Sequence, residues 1–396
     1  MAAGKWIPSW RVVPIDYNHE IARFHGTTQR SCFVNNLSGD RVRLRLCNLY
    51  NDAPMSITCG RIALRNRVSG RRSDWMPLTL NGEQAITLPP DSASFSDELA
   101  LTVSAEDDFL VDLYFEKELS LRGVCISWSK QSWQSAQYDG DYRKGADLGL
   151  SAARRLAPEL AQDSYDNQYL VGFSEIQVRN SDGAKLLALF GDSITHMGYY
   201  GDVLTGLLYE RCPGRIAVMN AGIGGNRIAR NWPRVDMPGG GTLFGEAGKT
   251  RIRRDLFEGA SPDWVFLLEG VNDCTHAFAF GEGTIPTAEE IYGALDEAAG
   301  IAKAQGAKVC VSTIMPFGCF SEPWRDQAEE LRQRCNALIC AGGKWDRLID
   351  LDAVMRDPDN EHLLQAGMDL GDGIHPGPMG GQKIARTIFR EGIVRL

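Results

Sequence analysis

The stretch that most constrains this chain runs from Lys185 to Gly198, KLLALFGDSITHMG. Leu186 to Phe190 form an apolar run long enough for one buried strand, which breaks at Gly191 into Asp192, Ser193, Ile194 and Thr195. A buried strand that stops at a glycine and delivers a serine ahead of a helix is a way to present a nucleophile. The strand fixes the backbone and the glycine permits a tight turn. The N–H groups that follow can face an anionic reaction centre. The same residues suit a plain helix start, because Ser and Asp are favoured N-caps. On this stretch alone both readings stand.

From Lys185 onward the texture alternates strand with helix. Apolar runs occur at 186–190, 216–219, 264–268, 309–314 and 348–351. A helical pattern begins at Thr287, whose hydroxyl can cap the helix while Glu290 reaches back. Ile291, Leu295, Ala298 and Ile301 keep one face apolar, and Gly306 ends the helix. A second pattern starts near Ser321-Glu322-Pro323 and presents Ala328, Leu331, Cys335 and Leu338. Such alternation predicts an α/β, doubly wound parallel sheet with its site at the carboxyl ends of the strands.

The residues before about 150 read differently. Val42, Leu44 and Leu46 alternate with Arg41, Arg43 and Arg45, and Phe109, Val111, Leu113 and Phe115 repeat that period of two. Turn-rich pieces (Asn51-Asp52, Ser69-Gly70, Asn81-Gly82, Pro89-Pro90-Asp91) separate short apolar runs. This predicts an antiparallel β-sandwich, its arginines on a wet outer face. A polar connection is expected from about 130 to 168, and the segment 169–178 reads as a strand that closes the first domain. The division is a sandwich with its connecting segment at 1–180 and an α/β domain at 181–396.

Composition bounds the function. The chain has 396 residues, 43% hydrophobic and 23% charged, with a formal net charge of -9. An acidic chain without a long basic run is a poor partner for nucleic acid or an anionic membrane, and no apolar run approaches the ~20 residues of a membrane span. The first residues carry no apolar leader core, so a cytoplasmic protein is expected, with secretion open if a leader was removed. The ten cysteines form no C-x-x-C pair and read as reduced thiols. The six histidines show no metal-ligand spacing.

Three further stretches bear on Ser193. The loop Asn220-Ala221-Gly222-Ile223-Gly224-Gly225-Asn226 follows the second apolar run. It does not complete G-x-G-x-x-G, so a dinucleotide cofactor is disfavoured. A glycine N–H here, of Gly222, Gly224 or Gly225, suits the oxygen that becomes negative in acyl transfer. Gly270, Val271, Asn272 and Asp273 follow the third run, where a neutral side-chain amide suits the same oxygen and an Asn-Asp turn is the plainer reading. Near the C-terminus, Asp372 and His375 stand three apart in a turn rich in Gly and Pro. That spacing lets the carboxylate hold Nδ1 and leaves Nε2 to take a proton from a serine.

Together these stretches resemble the four blocks of the SGNH branch of the GDSL esterases and lipases. Block one is Gly191-Asp192-Ser193-Ile194, with Ile where many members have Leu. The others are the Asn220 to Gly225 loop, Gly270-Val271-Asn272-Asp273, and Asp372-Gly373-Ile374-His375. The segment TTQRSCFVNNLSGDRVRLRLCNLYNDAPMSI resembles the jelly-roll-like sandwich that precedes the hydrolase domain in a bacterial subgroup. The resemblance implies a flavodoxin-like hydrolase fold with Ser193 as nucleophile, His375 as base then acid, and Asp372 orienting the imidazole. It implies an oxyanion hole of the Ser193 N–H, the Gly225 N–H and the Asn272 side chain, Gly225 being chosen by its spacing from Asn220. No cofactor or metal is implied.

The expected activity is that of a serine esterase removing a short acyl group, acetyl above all, from a carbohydrate or glycoside. The expected partner is a small-molecule or oligosaccharide ester. Trp128, Trp133, Tyr138, Tyr142 and Trp232 are candidates to stack on sugar rings or to pack domains. A lipase or lysophospholipase is the rival enzyme, and a non-catalytic carbohydrate-binding protein the rival of another class. The oligomeric state stays open.

Overall fold

The computed structural model describes residues 4–141, 167–233, 242–318 and 324–394. The chain divides into two compact units. One holds Met1–Lys185, Tyr209–Met219 and Val235–Leu243, the other Leu186–Leu208, Asn220–Arg234 and Phe244–Leu396. No helix among the described residues is long and apolar enough to cross a membrane.

The first unit is built on antiparallel strands. Lys5–Arg11, Gly172–Asn180, Val42–Cys47 and Ala93–Phe95 lie side by side in one sheet. Trp133–Asp139, Thr27–Phe33, Asp107–Phe115, Cys59–Asn66 and Met76–Leu78 form a second. The alternating residues Val42, Leu44, Leu46, Phe109, Val111, Leu113 and Phe115 all turn inward and are buried. Rings from the two sheets meet in the middle, Trp10 with Phe33 at 4.5 Å and Phe33 with Phe173 at 5.5 Å between centroids. This is sheet-on-sheet packing. Arg43 does more than solvate the outer face. Its guanidinium lies 4.3 Å from the Trp6 ring and 4.0 Å from that of Phe95, and donates to Gln177.

Two expectations change. Residues 133–139 are a full strand of the second sheet rather than connection. The inner face of this strand carries Ser135 and Gln137, bonded to Ser31 and to the Tyr169 carbonyl. Polar groups stand where the pattern requires apolar ones. The rest of the expected connection, 142–166, lies outside the described residues. The run 169–178 is two strands, Gln168–Leu170 paired with Gly123–Ser127 and Gly172–Asn180 in the first sheet. The break falls at Val171, and the next strand opens on Gly172, whose φ is +90° and where a Cβ would stand 2.7 Å from Leu113 Cδ1.

A five-stranded sheet has the order Ile216–Gly222, Lys185–Gly191, Trp264–Leu268, Lys308–Ser312, Arg347–Ile349, with Lys185 and Ile216–Met219 grouped in the first unit and the rest in the second. Lys185–Gly191, Trp264–Leu268, Lys308–Ser312 and Arg347–Ile349 pair in parallel. In chain order this is 2-1-3-4-5, the flavodoxin-like arrangement, whose switch point lies between the first and third strands. Leu187, Ala188, Leu189 and Phe190 have no exposed surface. Each large apolar side chain so buried contributes about 1.5–3 kcal/mol. The helices are α1 (Ser193–His196), α2 (Tyr199–Arg211), α3 (Gly248–Phe257), α4 (Val271–Ala279), α5 (Ala288–Ala304), α6 (Arg325–Ala341), α7 (Leu351–Met355) and α8 (Pro378–Arg390).

Thr287 caps α5 by accepting the Glu290 N–H at 3.2 Å. The reciprocal half of the box is not made, because the Glu290 carboxylate pairs with Arg230 at 2.5 Å. Ile301 and Leu338 are half-buried, and their helices bury Ala302 and Ile339 instead. The expected start of α6, 321–323, lies outside the described residues.

Gly172→Ala should destabilise the first unit by more than about 1 kcal/mol, since both the positive φ and the Leu113 contact oppose a Cβ. A urea titration followed by tryptophan fluorescence reads this, and an unchanged midpoint would refute it.

Candidate active site

The first strand ends at Gly191 and α1 begins two residues later. Asp192 is the N-cap, its Oδ1 accepting the Ile194 N–H at 2.9 Å. Capping therefore falls to Asp192, and Ser193 becomes the first helical residue with its hydroxyl free for other work. Its Oγ lies 2.9 Å from His375 Nε2. Among the described residues the Ser193 N–H has no acceptor, as expected at a helix start.

His375 sits in the turn that leads into α8. The turn is held from within: Asp369 Oδ2 accepts the Gly373 N–H at 2.6 Å, and the Leu370 N–H donates to the His375 carbonyl at 2.9 Å. Asp372 Oδ1 accepts the N–H groups of Ile374 and His375, each at 2.9 Å, which aims its second oxygen at the ring. His375 Nδ1–H then donates to Asp372 Oδ2 at 2.6 Å, leaving Nε2 as the acceptor facing Ser193. Partial burial pushes the Asp372 carboxyl up, but the bonds from the His375 ring and backbone outweigh it and hold it well below the usual range. The three residues, with Ser193 and His375 182 positions apart in the chain, are thus linked in one line.

The glycine loop is sorted by its hydrogen bonds. The Gly222 N–H donates to Asn220 Oδ1 at 2.9 Å, and the Gly224 N–H to His196 Nδ1 at 3.2 Å. The Gly225 N–H has no acceptor among the described residues. Gly225 has φ +72°, and a Cβ there would fall 2.1 Å from Phe244 Cδ1, so the position admits only glycine. Asn272 lies in the first turn of α4 rather than in a simple turn. It is buried, and its amide donates one N–H to the Asn226 carbonyl at 2.9 Å, which leaves its second N–H.

Asp273, read at first only as a turn residue, is a locking group. Its buried carboxylate accepts the N–H groups of Ile228 and Ala229 at 2.8 and 3.0 Å, fixing the chain that leaves the glycine loop. Burial pushes its carboxyl up to about 6. Burial also pushes Asp192 up to about 7 and Glu269 well above the usual range. Among the described residues no group of His, Cys, Asp and Glu could hold a metal ion.

The aromatic candidates sort by burial. Trp133 stacks on Phe33 in the sandwich core, and Tyr138 is buried. Trp232 is buried among Phe244, His276 and Phe280, at 5.0, 5.5 and 4.8 Å between centroids. These rings are engaged in packing, not presented for stacking. Burial and the nearby Arg227 push the His276 ring down to about 3, so it is neutral in this cluster. Tyr142 lies outside the described residues.

Residues 189–383 match the model of the GDSL-like Lipase/Acylhydrolase family. This part of the chain belongs to that family. The matched span holds Ser193, Gly225, Asn272, Asp372 and His375. Among solved structures the chain is similar to a GDSL-like lipase from Bacteroides thetaiotaomicron, at 23% identity over 53% of this chain and 87% of that one, TM-score 0.37. It is also similar to a variant of an acetyl xylan esterase from Geobacillus stearothermophilus, at 21% identity over 54% and 99%, TM-score 0.40. No curated protein matches the chain.

The raised Asp192 carboxyl carries a pH signature. The folded protein keeps a proton there that the unfolded chain releases above about pH 4. Stability from this group is therefore present at low pH and lost as pH rises from about 4 to about 7. Asp192→Asn keeps the cap and removes the titration. Between about pH 5 and about pH 8 the urea midpoint of wild type should fall relative to that of Asp192→Asn. Parallel curves would show that Asp192 titrates normally.

Proposed function

We propose that this protein is a serine ester hydrolase that works through an acyl-enzyme, with Ser193 as nucleophile. The observation that carries the reading is the line Ser193 Oγ to His375 Nε2 at 2.9 Å and His375 Nδ1 to Asp372 Oδ2 at 2.6 Å. In this mechanism His375 Nε2 takes the hydroxyl proton as Oγ attacks the ester carbonyl. Asp372 keeps the ring in the needed tautomer and stabilises the imidazolium. The carbonyl oxygen becomes an oxyanion, for which the Ser193 N–H, the Gly225 N–H and the second N–H of Asn272 are the proposed donors. All three are neutral and fixed, so they stabilise the charge without reorganising. His375 returns the proton to the departing alkoxide. It then activates a water that releases the acid from Ser193.

A short acyl group fits best, acetyl above all. The residues that follow Ser193 are spent on packing. His196, Met197 and Tyr200 are buried, and the Tyr200 hydroxyl bonds Thr195 Oγ1 at 2.9 Å. Buried in this way, these three side chains are not available to wall a long apolar groove for a fatty acyl chain. For the alcohol half we propose a sugar or glycoside. This part rests on the sandwich ahead of the hydrolase unit, a fold-level analogy.

Hydrolysis of p-nitrophenyl esters from acetate to palmitate tests the reading. Wild type should prefer acetate. Ser193→Ala should lose at least about 10³-fold in kcat, and Asp372→Asn about 10²-fold or more. A preference for long chains would overturn the short-acyl reading, and undiminished turnover by folded Ser193→Ala would overturn the nucleophile.

A further inference from the structure

Arg251 stands in α3, outside all four motif stretches, and its side chain is fully buried. Its guanidinium reaches five acceptors. Nη2 donates to the Gly191 carbonyl at 2.9 Å and to Glu269 Oε1 at 3.2 Å. Nη1 donates to the Ala221 carbonyl and to Asp255 Oδ2, each at 2.9 Å. Nε donates to Asn226 Oδ1 at 2.8 Å. The Phe190 ring covers it, 3.9 Å from the guanidinium carbon to the ring centre.

Four of these acceptors sit beside the proposed chemistry. Gly191 lies two residues before Ser193. Ala221 and Asn226 bracket the loop that carries Gly225. Glu269 lies three residues before Asn272. Asn226 extends the linkage, since its carbonyl accepts the Asn272 amide and its own amide donates to the Phe244 and Glu246 carbonyls. The segments that hold the three proposed oxyanion donors leave different strands and are tied to one rigid fork.

We propose that Arg251 is a positioning residue for acyl transfer: without touching substrate, it sets where the Ser193 N–H, the Gly225 N–H and the Asn272 amide stand relative to one another. The proposal rests on the esterase reading above. A planar fork with five donors can hold acceptors in several directions at once, and a lysine ammonium, with one nitrogen, cannot. Oxyanion donors act only when placed to within tenths of an ångström, and a misplacement near 1 Å costs about 10²-fold. Loosening the fork should therefore lower kcat more than ground-state binding.

The test compares wild type with Arg251→Lys and Arg251→Gln on p-nitrophenyl acetate. Active sites are titrated with a fluorophosphonate, and folding is checked by circular dichroism and thermal melting. The matched control is Arg332→Lys, a second buried arginine, in α6, which bonds Glu329 and the Ile314 carbonyl. The expected result is a kcat per titrated site about 10- to 100-fold lower in the Arg251 variants, with KM within about threefold. Arg332→Lys should melt earlier but keep its kcat. A folded Arg251 variant with kcat per site within about twofold of wild type would overturn the proposal. So would equal losses of kcat in Arg332→Lys, or failure of both Arg251 variants to fold, since either makes the residue a general support of the fold. An inert wild type would overturn the esterase reading and this proposal with it; an active wild type with unaffected Arg251 variants would overturn this proposal alone.

Discussion

A buried guanidinium needs every donor satisfied, because an unpaired buried charge costs several kcal/mol. Arg251, one of the buried arginines of the second unit, meets that requirement where the ends of three strands converge. The constraint runs both ways. The strand ends supply carbonyls with a lone pair to spare, that of Gly191 taking the Ile223 N–H at 3.0 Å as well, and the arginine supplies donors that reach them. Phe190, the last large apolar residue of the strand Lys185–Gly191, covers the charge with its ring. The carboxyl edge of the sheet thus closes over a polar knot rather than over apolar side chains.

The same accounting explains why so few donors remain for a substrate. Around Ser193 nearly every polar group is spent within the protein. Asp192 caps α1, Asp273 locks the chain after the glycine loop, and His196 takes the Gly224 N–H. Among the described residues, the N–H groups of Ser193 and Gly225 are left over. Both stand where the backbone is prevented from closing on itself, one at a helix start and one at a left-handed glycine. Two leftover donors and a half-used amide near a serine that faces an oriented imidazole form a site suited to a transient oxyanion.

The acid–imidazole element was legible because it is local. Asp372 and His375 are three apart, and the turn between them needs only its own residues to set the geometry. The strands of the hydrolase unit were legible because burial on both faces leaves continuous apolar runs. The runs overreach slightly at their ends: Thr313 and Ile314 lie past the fourth strand, and Leu351 opens α7. Legibility failed where polar residues are buried. The strand Trp133–Asp139 reads as connection because Ser135 and Gln137 occupy its core face. Nothing in the sequence pattern marks Arg251 or Arg332 as buried, and only the neighbouring carbonyls and carboxylates make their burial tolerable.

The sequence by itself determined the order of the chemistry. It placed a serine after the first strand of the hydrolase unit, a glycine loop after the second, an amide after the third and an Asp-x-x-His turn before the last helix. Those assignments depend on short-range rules of periodicity, capping and turn formation, which act within a few residues. Tertiary structure decided which glycine keeps its N–H, which aromatics are packed, and what holds the three strand ends in register. These depend on partners brought together from distant positions, such as Phe244 on Gly225 and Arg251 under Gly191, Ala221 and Glu269. A sequence pattern carries no distance between such residues. The fold supplies it, because a buried polar group must find whatever partner the packing places beside it.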